Sequence, residues 1–203
     1  MKNFDRIAAV LVILVSAAVF GTVLVHALWY APEPQTSAPP GMAAAVSSSM
    51  AAVSPGDYPD RLTIPRLGVN ARVQMAGLSY KGNIGVPSNF TDVAWYKYGA
   101  LPGRVGTAIV DGHVDNGLGL DGVFKHLIDL QAGDDVYVTT KSGIRLHFVV
   151  AEIGNYPYQQ VPIPRLLAQQ TDPELALISC DGSWVEGQRT YDHRLVIYAK
   201  LQN

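Results

Sequence analysis

The chain has 203 residues, and its 15 lysines and arginines nearly balance its 17 aspartates and glutamates, for a formal net charge of −2. Without a basic block in its globular part, it lacks the electrostatic footprint of a nucleic-acid binder. A single cysteine excludes an internal disulfide framework, so stability must come from packing.

Residues 7–25 carry no charge, and with His26 to Tyr30 they form an apolar segment long enough to cross a hydrocarbon core of about 30 Å as a helix. Lys2 and Arg6 precede it, and the next basic residue is Arg61. This asymmetry predicts residues 1–6 in the cytoplasm, a single-pass signal anchor over 7–30 and everything beyond it outside the cell. Trp29 and Tyr30 would sit at the membrane interface, with His26 as a boundary residue. Val25-His26-Ala27 also resembles a cleavage site, but a secretory apolar region runs only about 7–15 residues, shorter than this one. Either reading exports the remainder.

Residues 31–59 open on Ala-Pro-Glu-Pro-Gln-Thr-Ser-Ala-Pro-Pro-Gly and continue in Ala, Ser, Val and Met. Few large apolar side chains are present to offset ordering entropy, so a flexible spacer is expected, with at most a helical patch near 42–52. A globular domain then spans 60–203, a usual single-domain size.

That domain reads as mostly strand. Leu62 to Pro65 and Val69 to Val73 are short alternating runs parted by Leu67-Gly68. Thr107 to Val110 leads into Asp111-Gly112-His113. Asp135 to Thr140 turns at Lys141-Ser142-Gly143 into a return run from Ile144 to Ile153. Glu174 to Ser179 and Arg194 to Leu201 complete the set. Short helices are expected at Val123–Ile128 and Pro164–Gln170. Many short strands with regular turns suggest a barrel or a sandwich.

The chemistry centres on Cys180. It ends the apolar run Glu174 to Ser179 and precedes Asp181-Gly182, a turn signal that surfaces the chain. A lone cysteine is most often a small buried hydrophobe, but here the position suits a nucleophile. His113 could take the thiol proton and return it to a leaving amine. Arg194 presents a planar fork of donors suited to a carbonyl oxygen or an oxyanion. Arg189, on the preceding loop, is the reserve candidate. His113-Val114-Asp115 is also a His-x-Asp pattern, but no metal-ligand set of usual spacing accompanies it, and no cofactor is implied. Asp115 is expected to fix a loop or orient His113. His126 and His147 read as structural or exposed, and His193 should face away from Arg194 on its strand. Trp184 and Tyr191 could line the mouth of a site or pack a loop, as could Trp95 and Tyr96.

Four segments together resemble the sortase family of cysteine transpeptidases, in the family's order of His, Cys and Arg. They are Arg61 to Val69, Gly112-His113-Val114-Asp115, Leu177-Ile178-Ser179-Cys180 and Arg194-Leu195-Val196-Ile197-Tyr198-Ala199. The family pattern before the nucleophile is Thr-Leu-x-Thr-Cys; here Ala176 and Ser179 replace the threonines. Pro87, Val93-Ala94-Trp95-Tyr96, Gly99, Pro102-Gly103 and Gly112 to Asp115 look closest to class E- and F-like actinobacterial members. In several class F-like members the arginine stands two residues earlier, where this chain has Asp192; Arg194 lies on the same strand face. The resemblance implies an eight-stranded β-barrel with short helices and the triad His113, Cys180 and Arg194. It also implies cleavage of a sorting signal in exported proteins through a thioacyl-enzyme. The acyl group would pass to an amine of a peptidoglycan precursor or a pilin lysine. The rival readings are a membrane-tethered binding barrel without catalysis, which labelling of Cys180 at neutral pH would separate, and a cysteine hydrolase with water as acceptor.

Overall fold

A computed structural model describes residues 2–29, 54–79, 84–116, 118–168 and 170–202. Eight strands close into a barrel. They are β1 (Pro59–Ile64), β2 (Val69–Ala76), β3 (Val93–Tyr96), β4 (Gly106–Asp111), β5 (Asp135–Thr140), β6 (Arg145–Pro157), β7 (Pro173–Val185) and β8 (Thr190–Leu201). Their order around the barrel is β1-β2-β3-β4-β7-β8-β6-β5. Two neighbouring pairs, β2 with β3 and β4 with β7, run parallel.

Strand alternation divides the apolar residues of β4, β7 and β8 between two cores. Val110, Leu175, Leu177, Leu195 and Ile197 fill the barrel with Leu62, Phe124 and Phe148. Ile109, Ala176, Ile178, Val196 and Tyr198 lie on the other face and pack with Leu166, which belongs to the short helix α2 (Ile163–Leu167). Each fully buried aliphatic side chain contributes about 1.5–3 kcal/mol. Burial on both faces explains why these strands read as continuous apolar runs.

The expected strands all form. β3 was not anticipated: its four residues Val-Ala-Trp-Tyr are all buried and show no alternation. Trp95 donates its indole N–H to the Ala100 carbonyl at 3.0 Å, and Tyr96 is 1% exposed with its hydroxyl unpartnered, so both belong to the core. The helix expected at Val123–Ile128 is replaced by a turn and a 3-10 helix over Leu127–Asp129. Arg61-to-Val69 turns at Pro65–Leu67, where Gly68 takes the left-handed φ of 64° that closes it.

The spacer expected over 31–59 lies outside the described residues up to residue 53. Its last part is not spacer: Pro55–Asp57 form a 3-10 turn, and the Ser142 N–H donates to the Gly56 carbonyl at 3.0 Å. The Tyr58 ring lies 5.9 Å from that of Trp95, and this aromatic contact docks the segment on the barrel.

A helix, α1 (Lys2–Trp29), forms over the apolar segment. Among the described residues no helix is long and apolar enough to cross a membrane, so the spanning helix expected over 7–30 is not established by the fold.

Candidate active site

The site forms where β4 ends beside the paired strands β7 and β8. Asp111 of β4 pairs with Ile178 of β7 in parallel register, and Cys180 of β7 lies directly across from Arg194 of β8. Alternation places Asp111, Cys180 and Arg194 on the sheet face that carries Ile109, Ile178 and Val196. The Gly112 N–H donates to the Ile178 carbonyl at 3.1 Å. In return the buried Ser179 hydroxyl donates to the Gly112 carbonyl at 2.9 Å. These two bonds stitch the turn that carries His113 to the strand that carries Cys180. No side chain fits at position 112, because a Cβ there would stand 2.4 Å from the Phe124 ring.

The His113 ring is held by the segment before β3. Its Nε2 lies 2.9 Å from the Pro87 carbonyl, and Phe90 packs at 5.0 Å between ring centroids. A carbonyl can only accept, so Nε2 carries the proton and the lone pair of the neutral ring sits on Nδ1. Burial holds the imidazole pKa below its usual value, against the opposing pull of the Pro87 carbonyl and Asp115. The Phe124 N–H donates to the His113 carbonyl and the Gly122 N–H to that of Val114, both at 2.9 Å.

Arg194 is 6% exposed. Nη1 donates to the carbonyls of Tyr191 at 3.0 Å and His193 at 2.8 Å, and Nη2 to the Thr190 hydroxyl at 2.7 Å. A guanidinium has five N–H donors, so Nε–H and one Nη2–H stay uncommitted among the described residues. The Tyr158 ring lies 5.8 Å from the guanidinium carbon, within cation–π range. Arg189 differs in every respect. It is exposed, takes a left-handed φ of 52° in the β7–β8 turn, and its side chain makes no hydrogen bond or ion pair among the described residues.

Cys180 is half-buried and free. Burial pushes its thiol pKa up to about 11; Arg194 works against this, while Asp111, Asp115 and Asp181 add to it. Asp111 was not singled out from sequence, although it ends the run that leads into His113. Burial pushes its carboxyl up to about 7, opposed by Arg194.

The remaining candidates sort by place. His193 pairs with Asp192 at 2.8 Å and lies across from Asp181, off the Cys180–Arg194 face. His126 pairs with Asp129 at 3.3 Å, and His147 stacks on Tyr137 beside Asp135; all are surface groups. Trp184 is 54% exposed and meets the edge of Tyr191 at 5.4 Å. Tyr191 donates its hydroxyl to Asp115. Among the described residues no group of three or more His, Cys, Asp or Glu is arranged to hold a metal ion.

The raised thiol pKa changes what labelling can reveal. With a pKa of about 11, only about one thiol in ten thousand is ionised at pH 7. Alkylation of Cys180 by iodoacetamide is therefore expected to be slow at neutral pH and to rise about tenfold per pH unit up to about pH 10. A rate already level between pH 7 and 8 would mean a thiolate the site does not now favour. Slow labelling at neutral pH thus does not argue for a mere binding barrel.

The family model described as the sortase domain matches residues 62–202. Among solved structures, sortase A from Corynebacterium diphtheriae aligns with a TM-score of 0.56 at 19% identity, over 72% of this chain and 61% of that one. Sortase C1 of Streptococcus agalactiae aligns with a TM-score of 0.54 at 19% identity, over 70% and 66%. A pilus-related sortase C of Group B Streptococcus aligns with a TM-score of 0.56 at 17% identity, over 75% and 70%. The chain thus spans less than two thirds of the first of these. No curated protein sequence matches it.

Proposed function

Because this chain belongs to the sortase family, we propose that it is a cysteine transpeptidase that cuts a sorting signal in exported proteins and passes the acyl group to an amine. The observation that carries the reading is the pairing of Cys180 with Arg194 across β7 and β8, with the His113 turn bonded to the same strand.

In this reading the resting site holds a neutral thiol and a neutral imidazole. His113 Nδ1 takes the thiol proton as sulfur attacks the scissile carbonyl, since a free thiolate is disfavoured before substrate arrives. The uncommitted donors of Arg194 hold the oxygen that gains negative charge. Collapse of the tetrahedral intermediate breaks the C–N bond, and the His113 imidazolium protonates the departing amine. The thioacyl-enzyme forms at Cys180. An incoming amine then attacks the thioester, gives its proton to His113 and restores the thiol as the new amide forms. Arg194 is well prepared for its part: its three hydrogen bonds all go to the start of its own strand, so little reorganisation is needed as charge develops.

Attachment to the membrane through residues 7–30, with the domain outside, is part of the proposal. It is supported by the charge-free run after Lys2 and Arg6 and by the exposure of Leu11, Ile13, Phe20 and Val23 on α1. The class E- and F-like assignment rests on the sequence motifs; the solved structures named above are of class A and class C. A peptidoglycan precursor or a pilin lysine would supply the amine.

Partition between acceptors tests the reaction type. With peptides cut from the C-terminal signals of exported proteins, added amine is expected to convert the acyl product to an amide. A product that stays the free acid at every amine concentration would make the enzyme a hydrolase.

A further inference from the structure

Two parts of the site come from strands that do not touch. The His113 turn follows β4 and Arg194 lies on β8, and β7 with Cys180 runs between them. One side-chain bond spans the gap: the Tyr191 hydroxyl of β8 donates to the Asp115 carboxylate, two residues after His113. The same Tyr191 offers its carbonyl to Arg194 Nη1 at 3.0 Å, and Trp184 supports its ring edge-on at 5.4 Å. Asp115 is fixed in turn by a β-bridge to Asp121, beside the Gly122 N–H that holds Val114. We propose that Tyr191 and Asp115 form a strap that positions the base turn and the arginine relative to each other across the nucleophile strand.

The chemistry of the pair suits that task. A phenol donating to a carboxylate makes a charge-assisted bond, stronger than one between neutral partners. Burial and the bond to Asp115 push the Tyr191 hydroxyl well above its usual pKa, so the donor keeps its proton over the working range. Neither residue need touch the substrate; both act through His113 and Arg194 and are positioning residues. The strap also separates two duties of Asp115. Its charge disfavours the Cys180 thiolate, whereas its acceptor oxygen holds Tyr191, so removing the charge and removing the acceptor should differ in effect.

The inference rests on the transpeptidase reading for its kinetic consequence but not for its structural one. The test therefore uses the folded barrel with two readouts. In the first, amide hydrogen exchange is followed at Val114 to Asn116, without substrate. Tyr191→Phe is expected to speed exchange there while exchange at Leu177 and Ile197 and the melting temperature stay unchanged. The second is the rate of acyl-enzyme formation. Tyr191→Phe and Asp115→Ala are each expected to slow it about tenfold through kcat, with KM held. The double variant should be no slower than either single one, because both remove one bond. Asp115→Asn, which keeps a carbonyl acceptor, should recover much of the loss seen in Asp115→Ala. Additive losses in the double variant, or unchanged exchange at Val114 to Asn116, would overturn the strap. If the wild-type chain forms no acyl-enzyme at all, the exchange result still decides the strap, and the failure belongs to the transpeptidase reading.

Discussion

Cys180→Ala is expected to abolish acyl-enzyme formation and turnover while leaving the barrel folded. The residue is the only thiol in the chain, so no second sulfur can substitute for it. Its side chain is half-buried and takes part in no hydrogen bond among the described residues. Loss of one sulfur atom from a partly open position opens little cavity, and a stability change within about 1 kcal/mol is expected. The adjoining Ser179 hydroxyl, which ties β7 to Gly112, is untouched by the change. Thermal unfolding of the variant alongside wild type checks the fold, and peptide cleavage checks the chemistry. Cleavage above trace level in a folded Cys180→Ala protein would move the nucleophile elsewhere.

Arg194→Lys is expected to lower the rate of acylation by about 10²- to 10³-fold, the size seen when one oxyanion donor is lost. Lysine keeps the positive charge, but an ammonium cannot reproduce the planar fork. Arg194 uses three N–H groups to reach the carbonyls of Tyr191 and His193 and the hydroxyl of Thr190, and keeps two others uncommitted among the described residues. A single ammonium on a flexible stem must choose between those tasks. The variant should also lose order at Tyr191. Arg189→Ala is expected to stay near the wild-type rate, since Arg189 sits exposed in the hairpin turn. Its left-handed φ of 52° is unfavourable for alanine as for arginine, so the substitution leaves the backbone strain of the turn unchanged. A larger rate loss for Arg189→Ala than for Arg194→Lys would require the site to be redrawn around the turn.

Much of the barrel was legible because strand alternation and turn residues are local signals. The runs at 107–110, 135–140, 174–179 and 194–201 all became strands; His113 stands just past β4, whereas β7 and β8 run on beyond the expected ends and place Cys180 and Arg194 inside them. Alternation even settled the relation of Arg194 to His193. β3 escaped because a strand buried on both faces carries no period, and four residues give little else to read. The end of the spacer escaped because Tyr58 gains its partner, Trp95, from a distant strand.

The site's electrostatics were less legible. Sequence offers a histidine and an arginine as partners for the thiol and no sign of what else surrounds it. The fold half-buries that thiol and sets Asp111, Asp115 and Asp181 against Arg194, which together push its pKa up to about 11. Desolvation is a property of the assembled surface and leaves no mark in residue spacing. The link from Tyr191 to Asp115 joins residues 76 positions apart, and no local pattern announces it. The role of Ser179 was half visible: sequence puts a hydroxyl next to the nucleophile, but its acceptor, the Gly112 carbonyl, appears only when β4 and β7 pair.

The most direct measurement is the mass of the protein after brief reaction with a cleavable sorting peptide, in the absence of amine, followed by digestion to locate the added group. An acyl adduct of the peptide's N-terminal fragment is expected on the fragment containing Cys180, labile to hydroxylamine and absent from Cys180→Ala. Cleavage of the peptide with no covalent adduct at any time point, or an adduct on another residue, would contradict the account.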